Sequence, residues 1–203
     1  MKLLIATGNR HKFQEISAIL AIPQLTVISL LQIEQAPAVV EDGDTFEANA
    51  IKKAVTLACF SGMWTLADDS GLEVNALQGA PGVYSARYAG EPSDDAANNR
   101  KVIAALAGRT DRSARFRCAM ALSDPHGLAY TVSGACEGRL LSATRGVGGF
   151  GYDPLFIPTG YEQTFAELPG EVKNQISHRA CALRAAVAAW RECFIRELPA
   201  WPV

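Results

Sequence analysis

The chain has 203 residues, 49% of them apolar, and a formal net charge of −2, which suits one large α/β domain and excludes a global basic field for a nucleic-acid backbone. No apolar run approaches the roughly 20 residues needed to span a bilayer, so no membrane partner is expected. The five cysteines (Cys59, Cys118, Cys136, Cys181, Cys193) lack zinc-site or disulfide-framework spacing, and most of them read as small buried residues in a reducing cytoplasm.

In chain order, the start resembles a signal peptide only until Gly8-Asn9-Arg10-His11-Lys12 interrupts it, and residues 2–7 read as a first buried strand. Phe13, Ile16 and Leu20 have helical spacing over 11–20. A second strand is expected from Leu25 to Leu31 after Pro23, then a loop rich in Pro and acids from Gln35 to Asp44. Asp44 and Glu47 have capping-box spacing ahead of a helix to Cys59, with Phe46, Ala50, Ala54 and Leu57 inward. An apolar strand then ends at Asp68-Asp69, and Gly71 to Leu77 reads as a separate extended piece. The stretch from Gly79 to Gly90 is turn-rich, and Arg87 within it reads as interface or loop packing. Ser93 can cap a helix through Leu106 that Gly108 stops.

Ser113 to Ser123 alternates, with Phe116, Cys118, Met120 and Leu122 on one face. A turn at Asp124-Pro125-His126-Gly127 and a strand to about Cys136 complete a hairpin. A Gly-dense loop, 146–154, leads into Leu155-Phe156-Ile157, and a last helix has Ile176, Ala180, Leu183, Val187 and Trp190 on one face. The βα alternation together with a hairpin predicts an α/β fold with a mixed β-sheet and flanking helices.

Five segments carry candidate chemistry. Thr7-Gly8-Asn9-Arg10-His11-Lys12 joins a strand to a helix, where free N–H groups, Arg10 and Lys12 can receive an anion. It is not the GxxxxGK[ST] phosphate loop. Asp68 and Asp69, at a strand end, are hard-oxygen candidates for Mg²⁺ beside a phosphate. Adjacent strand residues point to opposite faces, and Ser70-Gly71 supplies a turn that could bring both to one pocket. Glu41 is a candidate second ligand, in competition with Asp42 and Asp44. Phe150-Gly151-Tyr152-Asp153-Pro154 leaves an aromatic face open for a flat base, with Tyr152 and Asp153 as hydrogen-bonding groups. Lys173 could reach phosphates, and His178 and Arg179 are adjacent donors for a ring carbonyl.

Together these segments resemble the Ham1/RdgB family of inosine triphosphate pyrophosphatases over nearly the whole chain. The resemblance is carried by Thr7-Gly8-Asn9 with Lys12, Thr45-Phe46-x-x-Asn49-Ala50-x-x-Lys53-Ala54, Ala67-Asp68-Asp69-Ser70-Gly71-Leu72, Gly79 to Tyr88, Gly148 to Pro154, and Lys173 with Ile176-Ser177-His178-Arg179. It implies an elongated single domain over 1–203 with two lobes around a central substrate cleft, Mg²⁺ as cofactor, and a homodimer. It also implies hydrolysis of ITP, dITP and XTP to the monophosphate and pyrophosphate. By motif position Asp69 is implied as catalytic base and metal ligand, with Asp68 assisting. Ser70, Lys173 and the loop of Thr7, Gly8, Asn9, Arg10, His11 and Lys12 are implied to hold substrate. Phe150, Gly151, Tyr152 and Asp153 with His178 and Arg179 are implied to form the base pocket. Bacterial members often carry two consecutive acids and then Thr-Gly before the Thr-Phe helix, whereas this chain reads Val39-Val40-Glu41-Asp42-Gly43-Asp44, so the second metal ligand is transferred to Glu41. The related Maf-like pyrophosphatases are disfavoured by the 148–154 segment.

Overall fold

The structure, a computed structural model, describes residues 2–21 and 25–195, with side chains to residue 190. Pro23 and the side chain of Cys193 lie outside the described residues. Six strands form one sheet in the order β2-β1-β3-β4-β5-β6. They are β1 (Lys2–Ile5), β2 (Thr26–Ser29), β3 (Trp64–Val74), β4 (Ser113–Ser123), β5 (Ala129–Leu140) and β6 (Phe156–Pro158). β1 pairs in parallel with both β2 and β3, while β6 runs antiparallel to β5, so the sheet is mixed. Flanking helices are α1 (Arg10–Ile19), α2 (Phe46–Ser61), α3 (Asp95–Ala105), α4 (Gly170–Ile176) and α5 (His178–Ile195).

Chain contacts divide into two compact units, each with its own apolar cluster. The first comprises residues 1–69, 118–134 and 179–203. Leu3, Ile5, Ile16, Leu66, Met120, Leu183 and Trp190 are at its centre. The second comprises residues 70–117 and 135–178, built around Leu72, Val102, Phe116, Leu155, Phe156 and Phe165. In the second cluster the Phe116 and Phe156 rings meet edge to face at 4.7 Å. Also in that unit, the Arg87 guanidinium lies 5.3 Å over the Tyr84 ring.

Several boundaries differ from the sequence expectation, each for a local reason. β3 does not end at Asp68. It runs unbroken through Asp68-Asp69-Ser70-Gly71 to Val74, and the expected turn at Ser70-Gly71 is absent, because this run is buried and held in the sheet. Thr45 rather than Asp44 caps α2, its hydroxyl accepting from Ala48 N–H, and Phe46, Ala50, Ala54 and Leu57 are inward as the spacing predicts. Asp94, not Ser93, caps α3 by accepting from Ala97 N–H at 3.0 Å. The last helix is two, because Ser177 adopts an extended conformation (φ −65°, ψ 157°) and separates Ile176 from Ala180, Leu183 and Trp190. Cys118 and Cys136 are buried and Cys181 is half-buried, but Cys59 is exposed, since α2 directs Leu57 and Ala58 to the core and the next residue outward.

β6 lies so close to β5 that a side chain at Gly138 has no room. A Cβ there would sit 2.3 Å from the Ile157 carbonyl oxygen and 2.5 Å from the Phe156 ring. Gly138→Ala is therefore expected to lower unfolding free energy by about 2–3 kcal/mol through overpacking, read from the urea midpoint at unchanged m value.

Candidate functional site

In the first unit the polar groups gather on β3. Successive strand residues point to opposite faces, and with no turn at Ser70 the two carboxylates take different partners. Asp68 meets α1 and α5: its Oδ2 lies 3.1 Å from Lys12 Nζ and 3.2 Å from an Arg179 guanidinium nitrogen. The other arm of Arg179 bonds Glu15 on α1. Asp69 meets α2 instead, its Oδ2 accepting from Asn49 Nδ2 at 2.9 Å. One helical turn on, Lys53 Nζ donates to the Asp68 backbone carbonyl at 2.6 Å and pairs with Glu41 at 2.8 Å. Asn49 Oδ1 accepts from the Gly43 N–H at 2.8 Å, so Asn49 and Lys53 tie the segment carrying Glu41 to the strand.

This split gives the two acids opposite proton affinities. Burial would raise both, because it penalises the charged form. At Asp68 the nearby Lys12, Arg179 and Lys53 charges outweigh burial, and the carboxyl is held far below the usual range. At Asp69 burial wins over Lys53, Lys12 and the Asn49 hydrogen bond, Glu41 adds repulsion, and the carboxyl is raised. Asp68 is thus a fixed anion, and Asp69 a carboxyl with heightened affinity for a proton. Burial would lower the Lys12 ammonium, but the Asp68 and Asp69 charges together outweigh it and Lys12 is raised.

The Thr7–Lys12 loop is internally organised. Asn9 caps α1, its Oδ1 accepting from His11 and Lys12 N–H groups, and Asn9 N–H donates to Thr7 Oγ1 at 3.2 Å. Two amides expected to face an anion are therefore engaged by Asn9, because an Asn at this position outcompetes solvent for them. Gly8, Arg10 and His11 are exposed, and only Lys12 turns inward to Asp68.

In the second unit Ser70 continues β3 and is half-buried. Phe150, Gly151, Tyr152, Asp153 and Lys173 come together. Asp153 Oδ2 accepts from Phe150 N–H at 2.9 Å and from Lys173 Nζ at 2.5 Å, and that ammonium lies 4.7 Å over the Phe150 ring. Tyr152 donates its hydroxyl to the Ser85 carbonyl at 2.8 Å, and burial raises the phenol. His178 is buried, its ring stacked on Phe116 at 4.8 Å.

Several of these groups are also engaged within the protein. Arg179, 1% exposed, directs donors to Asp68 and Glu15 and so acts as their counter-ion. Lys173 pairs with Asp153. Tyr152 and Asp153 hold the loop in shape before any ligand is present. Asn49, Lys53 and Glu15 belong to the cluster, although the sequence reading gives none of them a role and names Asn49 and Lys53 only within a motif. The signal for those two is a pair of polar residues spaced i,i+4 on the apolar face of α2.

Comparison with known proteins adds an independent line. A family model described as the Ham1 family matches residues 3–189. A dITP/XTP pyrophosphatase of Desulforamulus reducens is 51% identical over 199 residues, covering 97% of this chain and 99% of that one. One from Geobacter sulfurreducens is 51% identical over 184 residues, covering 90% and 92%. The solved structure of a Ham1 protein from Coxiella burnetii superposes with a TM-score of 0.86 at 39% identity, covering 95% of this chain and 99% of that one.

The opposed shifts of Asp68 and Asp69 predict opposite stability effects, to be measured by urea denaturation in chelator. Asp68→Asn strips a buried partner from Lys12 and Arg179 and is expected to cost about 3–5 kcal/mol at neutral pH. Because Asp68 is depressed, its contribution is present above the ordinary carboxyl range and is lost as pH falls through its folded value. Asp69→Asn is expected to stabilise at neutral pH. Asp69 is raised, so the wild type loses stability as pH climbs from the ordinary carboxyl range through the folded value, while the Asn variant does not. The variant's advantage should therefore vanish at low pH.

Proposed function

The chain belongs to the Ham1 family, and from that premise we propose that it hydrolyses the non-canonical purine triphosphates ITP, dITP and XTP to the monophosphate and pyrophosphate. The observation that carries this reading is the division of labour on β3, where Asp68 is held between Lys12 and Arg179 while Asp69, the next residue, faces Asn49 with its carboxyl raised by burial. A raised carboxylate takes a proton readily, which suits Asp69 as general base for water.

In this reading the Thr7–Lys12 loop with the inward Lys12 receives phosphate. Asp69 removes a proton from water as it attacks the α-phosphorus, and the Lys12 and Lys53 ammoniums offset charge on the departing pyrophosphate. Asp68 and Arg179 keep Lys12 in position, so their part is electrostatic rather than direct. Phe150 offers its ring to the purine, and His178 and Arg179 are the candidate donors to its ring carbonyl. A site built on such a donor favours the 6-keto group of hypoxanthine and xanthine over the 6-amino group of adenine.

Magnesium is part of this reading. Asp69 and Glu41 interact electrostatically and share the Asn49–Lys53 frame, and Mg²⁺ characteristically uses one or two carboxylates plus substrate phosphates rather than an all-protein cage. The oxygen donors therefore fit, with Asp69 and Glu41 as the holding residues. The ion would supply Lewis-acid stabilisation of phosphoryl charge. The compartment is the cytoplasm, where the nucleotide pool lies, and the homodimer rests on the family resemblance.

The test is ITP hydrolysis in ¹⁸O-water with Mg²⁺. The label is expected in IMP and not in pyrophosphate; release of inorganic phosphate, or label in pyrophosphate, would overturn the assignment. Asp69→Asn is expected to cut kcat/KM by about 100-fold or more. Glu41→Gln is expected to raise the Mg²⁺ concentration needed for half-maximal rate, and an unchanged requirement would remove Glu41 from the ligand set.

A further inference from the structure

Two residues outside the expected site grip the aromatic loop of the second unit. The Gly151 N–H donates to Asp95 Oδ2 at 2.7 Å, and the Gly151 carbonyl accepts from Asn99 Nδ2 at 2.8 Å. Asp95 and Asn99 are one turn apart on α3 and so lie on one face of that helix. Asn99 Nδ2 also donates to the Asp95 carbonyl at 2.8 Å, which couples the two grips. Both backbone groups of Gly151 are thus fixed by a single helical turn.

The details point to placement rather than general stability. Gly151 has φ +60°, a conformation most side chains avoid, so the chain needs a reason to hold that shape. The amide orientation of Asn99 is determined, because reversing it would set its oxygen against two carbonyls. In this orientation Asn99, 4% exposed, leaves its Oδ1 buried with no hydrogen-bond partner among the described residues. A buried acceptor in that state costs free energy that an apolar side chain would avoid. Its two Nδ2 hydrogen bonds offset that cost and fix Gly151, whose neighbours are the Phe150 ring and, through the Phe150 N–H, the Asp153 carboxylate.

We propose that Asp95 and Asn99 are positioning residues for purine recognition, a helix clamp that sets Gly151 so that Phe150 is held ready for the base. The proposal rests on the function proposed above. Neither residue is assigned a contact with substrate; they act through Gly151, and their loss should weaken binding of the base while leaving the phosphate chemistry alone.

The experiment compares wild type, Asn99→Ala, Asp95→Ala and Asp95→Asn. ITP kinetics are measured alongside competitive inhibition by inorganic tripolyphosphate, which carries phosphates but no base, and IMP binding is measured by calorimetry. For both Ala variants the KM for ITP and the Kd for IMP are expected to rise about tenfold, with kcat within about twofold. Inhibition by tripolyphosphate should be unchanged. Asp95→Asn keeps an oxygen for the Gly151 N–H and should remain near wild type. A parallel weakening of tripolyphosphate, an unchanged Kd for IMP, or no rescue by Asp95→Asn would overturn the clamp. Asp95 is exposed, so its variants keep the test valid if Asn99→Ala does not fold. If wild type fails to release pyrophosphate from ITP, the proposed reaction falls, and the IMP and tripolyphosphate affinities still decide the clamp.

Discussion

The buried meeting of Asp68 with Lys12 and Arg179 is the constraint on which the first unit depends. It joins β3 to α1 and α5, and Glu15 closes the set on the far side of Arg179. Two carboxylates and two cations balance, which is what allows the charges to be buried at all: an unpaired ion there would pay its full desolvation cost. The same set governs its neighbours. Burial, reinforced by the Asp68 charge, pushes the Cys118 thiol up to about 12, so no additional charge enters the network at physiological pH.

Asp69 inherits its properties from this arrangement by the simple alternation of a strand. Because Asp68 takes the face with the cations, Asp69 is left on the face with α2, where it receives a neutral hydrogen bond from Asn49 and only partial relief from Lys53. A single strand thereby holds one carboxylate as a permanent anion and the next as an avid proton acceptor. Lys53 binds the Asp68 carbonyl and Glu41 together, so the frame that sets Asp69 also sets the segment bearing the second acid.

Much of this was legible in the sequence where periodicity reports burial. The inward residues of α2 and the extent of β4 follow from spacing, since 3.6- and two-residue periods arise directly from backbone geometry. The continuity of β3 was not legible, because Asp-Asp-Ser-Gly has the composition of a turn and only burial within the sheet overrides that propensity. The break at Ser177 carries neither Gly nor Pro to announce it. The role of Arg179 lay further out of reach. Its donors fit a ligand carbonyl or a carboxylate equally well, and the carboxylate they meet in the fold is Asp68, 111 residues away in the chain.

The second unit meets a different physical problem. Its loop from 146 to 151 contains four glycines, so ordering it costs more backbone entropy than an ordinary segment would. The polar groups around it are committed to meeting that cost: Asp153 to Phe150 N–H and Lys173, Tyr152 to Ser85, and Gly148 N–H to the Ala166 carbonyl. Asp153, Lys173 and Tyr152 thus each commit at least one polar atom to holding the loop. Selectivity for a base at such a loop therefore depends on where the Phe150 ring and the backbone groups are held. Residues that never touch a ligand can then govern its recognition, and that part of a site is the hardest to read from residue type alone.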